Sequence, residues 1–113
     1  MAKYTSEELN GIAMQMILNA GNGRDKINKA LCALEEDFDF EQYDMFMKEA
    51  HNDITKAHQF QTQVVQSTIE DENVETTFLF THAQDTLMTI NTEMNLAKHL
   101  GKMFKVIAER MNA

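Results

Sequence analysis

A chain of 113 residues with 43% apolar content is long enough to bury one core, so a single domain over 1–113 is expected and disorder is excluded. Eighteen acidic against ten basic residues give a net charge of −8, which excludes the continuous cationic face that nucleic acid or an anionic membrane surface requires. No proline, four glycines and the single Cys32 exclude a turn-rich β fold, an intrachain disulfide and a cysteine zinc cage. The longest aliphatic-aromatic run, Phe78-Leu79-Phe80, falls far short of the ~20 apolar residues that span a bilayer. No basic region followed by an apolar segment marks a signal peptide. A cytoplasmic, acidic, all-α protein is expected.

The first predicted helix opens at Thr5, where Thr5 and Glu8 have the spacing of a capping box. Leu9, Ile12, Ala13, Met16, Ile17 and Ala20 recur at helical spacing, and Ile27, Ala30, Leu31 and Leu34 resume the pattern beyond Gly21-Asn22-Gly23. The glycines predict a kink or a tightened turn inside one helix. Cys32 is expected to be a small buried apolar residue. Asp39 is placed to cap a second helix, with Phe40, Tyr43, Phe46, Met47, Ala50, Ile54, Ala57, His58, Gln61, Thr62 and Val65 on one stripe. An acidic linker is expected from Ile69 to Glu75.

The third helix is expected from Thr76 or Thr77 to about Met111. Phe80, Leu87, Ile90, Met94, Ala97, Gly101, Phe104 and Ala108 form one apolar face. Phe78, His82, Asp85, Met88, Thr92, Leu96, His99 and Met103 form a second. Two stripes on one helix predict two partners, the chain's own core and another subunit. Three long helices with short connections predict an antiparallel, up-down-up three-helix bundle.

Two polar segments interrupt these stripes. His82 and Asp85 share a face of the third helix, and His58, Gln61 and Thr62 lie on the stripe of the second. Their similar distances from the acidic linker put both at one height. Polar groups in a thin apolar seam must be paired, so one account is hydrogen bonding that fixes register. Another is a functional site. Neither helix offers a His-x-x-x-His or Glu-x-x-His metal motif, and no serine triad, P-loop or dinucleotide fingerprint is present. A histidine beside amide and hydroxyl donors is suited to accept a phosphoryl group, since neutral imidazole is a good nucleophile near pH 7.

The run His82-Ala83-Gln84-Asp85, followed by Leu87-Met88-Thr89, resembles the His-(Gly/Ala)-Gln-Asp-His-Leu-Met-Thr signature of the lactose/cellobiose-type enzyme IIA component of the bacterial sugar phosphotransferase system. Ala57-His58-x-x-Gln61-Thr62 and Ala20-Gly21-x-x-Arg24 are similar to two further elements of that family. The resemblance covers essentially the whole chain. It implies a homotrimer of three-helix subunits, with His82 taking a phosphoryl group from phospho-HPr and passing it to a cysteine of a IIB component. The sugar carried by the membrane IIC component receives it last. It implies supporting roles for Gln84, His58, Gln61 and Thr62, and a divalent metal, Mg²⁺, bound by Asp85 of each subunit on the trimer axis. Thr86 stands where the family usually has a second histidine. Ala83 leans toward the cellobiose/chitobiose branch. Arg24 is expected in a surface salt bridge. The alternative is a non-catalytic oligomerisation or regulatory module that kept the fold.

Overall fold

The computed structural model describes residues 4–70 and 75–112. They form three α-helices, α1 (Ser6–Asp37), α2 (Phe40–Glu70) and α3 (Phe78–Met111). Residues 71–74, where most of the expected acidic linker falls, lie outside the described residues. Ile69 and Glu70, expected in that linker, still belong to α2.

Local sequence sets each start. Thr5 Oγ1 accepts from the Glu8 N–H at 3.0 Å, and the Thr5 N–H donates to Glu8 Oε1 at 3.0 Å. These bonds hold the Glu8 carboxyl below the usual carboxylate range. Asp39 Oδ1 accepts from the Gln42 N–H at 3.0 Å, and Thr77 Oγ1 from the Phe80 N–H at 3.1 Å. α1 ends on Phe38 in the left-handed region, φ 52°. The Asp39 N–H returns to the Ala33 carbonyl and the Phe38 N–H to the Leu34 carbonyl. The expected tightening at Gly21–Gly23 is not seen, and α1 is α-helical throughout.

The buried residues alternate in steps of three and four: Leu9, Ala13, Met16, Ala20, Gly23, Ile27, Ala30 and Leu34 on α1. Tyr43, Met47, Ala50, Ile54, Ala57 and Val64 follow the same rhythm on α2, and Phe80, Ala83, Leu87, Ile90, Met94, Ala97 and Gly101 on α3. This is the heptad pattern of near-parallel helix packing. It corrects the expected α2 stripe: Val64 is buried and Val65 exposed, because the 3.5-residue seam drifts away from a run of four-residue steps. Cys32 is exposed, not buried, since it lies between Leu31 and Ala33 on the outer side of that seam.

Contacts between α1 and α2 run in reverse chain order. Tyr4 Oη donates to the Gln63 carbonyl at 3.5 Å, and Lys26 pairs with Asp53 at 3.4 Å. The order is also reversed between α2 and α3, where Tyr43 meets Ala97 and Gln61 meets Gln84. The result is a rod of 64 × 21 × 18 Å. α2 and α3 share the smallest of the three helix interfaces, which leaves clefts along their line of approach. Among the described residues, no helix is long and apolar enough to cross a membrane.

Candidate functional site

At about 100° per residue, Asp85, Thr92, Leu96 and Met103 point almost directly away from the α3 core face. The whole second stripe is solvent-exposed in the single chain, including Leu96 and Met103, each 59% exposed. One helix thus carries a core face and a second, uncovered face.

His82 lies near the start of α3 with an exposed side chain. Its carbonyl accepts from Thr86 Oγ1 at 2.9 Å, and the Asp85 carbonyl accepts from Thr89 Oγ1 at 2.8 Å. Thr86, at the position of the family's second histidine, is therefore tied back to its own helix. Gln61 occupies a core slot of the α2 heptad between Ala57 and Val64 and is half-buried there. Its Nε2 donates to Gln84 Oε1 across the α2–α3 cleft at 3.5 Å, the long end of hydrogen bonding. His58 is half-buried and Thr62 exposed.

The structure brings Gln61 and Gln84 together but does not join His82 to them within one chain. His82 and Gln84 are two residues apart and so occupy opposite flanks of α3. Gln84 faces α2. His82 shares its flank with Glu93, which faces α1. Among the described residues no side-chain hydrogen bond links His82 to His58, Gln61, Thr62 or Gln84. The similar height of the two clusters was legible in the sequence, but the flank each occupies required the helices to be docked.

Arg24 makes a two-pronged salt bridge to Glu93, Nε to Oε1 at 2.8 Å and an Nη to Oε2 at 2.9 Å, joining α1 to α3. Both groups are about two-fifths exposed, so the pair contributes little stability and serves mainly register. Sequence reasoning missed Glu93 as the partner and missed Asn10, whose Oδ1 is buried with no hydrogen-bond partner among the described residues. Nothing in local spacing marks either.

Among the described residues, no group of three or more His, Cys, Asp or Glu side chains is placed to hold a metal ion. One chain offers a single exposed carboxylate at Asp85, whereas Mg²⁺ takes six oxygens. The residues fit such an ion only where copies of Asp85 meet.

His82 is thus an exposed histidine on the surface of a three-helix rod. The chain matches the family described as PTS system, lactose/cellobiose specific IIA subunit, over residues 11–105. It is 33% identical over 108 residues to a lichenan-specific phosphotransferase enzyme IIA component of Bacillus subtilis, covering 96% of this chain and 97% of that one. It is 32% identical to a lactose-specific EIIA component of Lacticaseibacillus casei, covering 96% of each. Among solved structures, the cellobiose-specific enzyme IIA of Bacillus anthracis superposes with a TM-score of 0.82 at 34% identity, covering 94% of each chain. PtcA of S. mutans superposes with a TM-score of 0.86 at 31% identity, covering 90% of this chain and 99% of that one. The chain belongs to the lactose/cellobiose-specific IIA family of the phosphotransferase system. Membership makes it a component of phosphoryl transfer in sugar transport, and implies a IIB partner and HPr-dependent phosphorylation.

Proposed function

We propose that this protein is a cytoplasmic phosphocarrier that takes a phosphoryl group from phospho-HPr onto His82 and delivers it to the cysteine of a IIB component. The sugar is a cellobiose/chitobiose-like or lactose-type disaccharide that enters through the membrane IIC component. The observation that carries this reading is an exposed histidine within the family signature, open to donors and acceptors alike. A neutral ring nitrogen of His82 attacks phosphorus as the bond to HPr breaks, and a P–N bond forms. The thiolate of IIB then attacks from the solvent side. The P–N bond breaks, an S–P bond forms, and the imidazole is released for another cycle.

The same reading makes the subunit an up-down-up bundle that trimerises through the second stripe of α3. Asp85 then lies on the axis, and three copies carry a divalent ion, Mg²⁺, that offsets their mutual repulsion. Taking Asp85 as the reference, His82 sits about 60° to the α1 side of α3 and Gln84 about 100° to the α2 side. In a three-fold ring, one flank of each subunit meets the opposite flank of the next. The neighbouring subunit's Gln84, Gln61, His58 and Thr62 are then the groups that reach His82 and donate to phosphoryl oxygens.

Incubation with phosphoenolpyruvate, the general enzyme I and HPr tests the assignment. One phosphoryl mass, labile in acid and located on His82, is expected. His82→Ala should remain helical and lose the modification. If that variant is still phosphorylated at the normal rate, His82 is not the acceptor. If the native protein is never phosphorylated, the non-catalytic module is the correct reading.

A further inference from the structure

Lys98, Lys102 and Lys105 follow one another at i, i+4 and i+7, so they line one flank of α3 over about 10 Å. That flank faces α2. With Phe40, Tyr43, Asp44, Met47 and Gly101 they line a cleft of about 330 Å³ at the end of the bundle remote from His82. Gly101 makes the floor possible. A Cβ there would overlap Tyr43, whose ring lies against α3 while its hydroxyl donates to the Ala97 carbonyl at 2.8 Å.

The charge of this cleft runs against that of the molecule. The net charge is −8, yet three cations and one carboxylate line this space. Among the described residues, Arg24, Lys26 and Lys29 are held in ion pairs, Lys48, Lys56 and Arg110 stand apart without one, and the three cleft lysines are the unpaired cations that lie together. Among the described residues, Lys98, Lys102 and Lys105 make none, although Asp44 lines the same cleft. Three unpaired ammonium groups on two turns of helix call for a compact polyanion rather than a single carboxylate. An inorganic phosphate would leave the aromatic floor and most of the volume unused. Asp44 adds an acceptor-only group opposite the lysines, which suits hydroxyl donors.

We propose that this cleft is a binding site for a small phosphomonoester with a hydroxyl-bearing body of hexose size. The phosphate meets Lys98, Lys102 and Lys105, the ring rests on Phe40 and Tyr43, and a hydroxyl donates to Asp44. Lys102 lies on the same α2-side flank of α3 as Gln84, five turns further along the helix, and Lys98 and Lys105 lie about 40–60° beyond it toward the core face. The site is 19 residues of helix from His82, about 28 Å, and does not depend on the phosphocarrier reading.

The test is an NMR titration of the full chain with glucose 6-phosphate, with glucose and inorganic phosphate as comparators. Saturable shifts at Gly101, Tyr43 and Lys102 are expected, with Kd near or below about 1 mM. Inorganic phosphate should bind several-fold more weakly and glucose should produce no shift. The triple variant Lys98→Gln/Lys102→Gln/Lys105→Gln, checked for helicity, should weaken glucose 6-phosphate at least about tenfold. His82→Ala should bind as the native protein does. Absence of saturable shifts, shifts centred on His82 or elsewhere, equal binding of glucose, or unchanged binding by the triple variant would each overturn the proposal.

Discussion

Tyr43 lies across α3 because residue 101 has no side chain, and the two residues form one packing unit. Gly101→Ala gains about 1 kcal/mol of helix propensity but overpacks the contact at roughly 1–3 kcal/mol and strains a buried hydrogen bond of about 1 kcal/mol. Gly21, by contrast, has open space where a Cβ would go. Denaturant unfolding should show Gly21→Ala more stable by about 0.5–1 kcal/mol and Gly101→Ala less stable by at least 1 kcal/mol. Equal midpoints for the two variants would contradict this packing. Burial, and then the nearby Asp44 carboxylate, raise the Tyr43 phenol above its ordinary value near 10. The folded state therefore holds the phenol proton more tightly than the unfolded chain does. The resulting stability is complete below about pH 10 and is lost as pH rises through the folded value. Tyr43→Phe should flatten the alkaline loss, and a variant that loses stability as steeply as the native protein would show that another group is responsible.

At the scale of the element, the α1–α2 corner combines a cost with a compensation. Phe38 adopts φ 52°, a conformation that costs a non-glycine residue about 1–2 kcal/mol. Its ring meets Phe40 at 6.0 Å and Phe104 at 5.7 Å between centroids, both edge-on. Each such contact contributes roughly 0.5–1.5 kcal/mol beyond burial. Phe38→Gly removes strain and contacts together and should change stability by less than about 1 kcal/mol. Phe38→Ala keeps the strain and loses the rings, so it should be the less stable of the two by about 1 kcal/mol. Thermal unfolding of the pair decides, and an alanine variant as stable as the glycine variant would mean the left-handed turn carries no strain.

At the scale of the whole molecule, a thin rod leaves one helix with an uncovered apolar face. Met88, Leu96, Leu100, Met103, Val106 and Ile107 are all exposed along α3. Isolated exposed apolar residues are ordinary, but a row of them along one helix marks a docking surface. If three such faces meet, Asp85 is the one carboxylate on the second stripe, and the repulsion of its three copies must be offset by protons or a cation. Asp85→Leu should therefore trimerise without metal, and more stably than the native chain, while His82 still accepts phosphate. Sedimentation of both proteins with and without a chelator reads this directly. A native trimer indifferent to chelation with Asp85 in solvent, or an Asp85→Leu protein that dissociates to monomers, would defeat the proposed axis.

Helix order, caps, the second stripe and most of the core face of α3 were legible in the sequence because they rest on local chemistry, although Ala83 joins that core face and Phe104 and Ala108 are only half-buried. A capping hydroxyl bonds residues three positions on, and a heptad repeats within a few turns. The signature around His82 was legible for the same reason, since its residues are consecutive. The drift of the α2 seam to Val64, the exposure of Cys32 and the Arg24–Glu93 bridge were decided by docking helices from distant parts of the chain. So was the separation of His82 from Gln84 and Gln61: their spacing placed them at one height, but only the packed bundle turned Gln84 toward α2 and left His82 on the other flank. Periodicity states how residues are arranged around one helix. Which neighbour each flank meets depends on the rotation of helices against one another, and that is fixed by side-chain volumes such as the glycine at 101 beneath the ring of Tyr43.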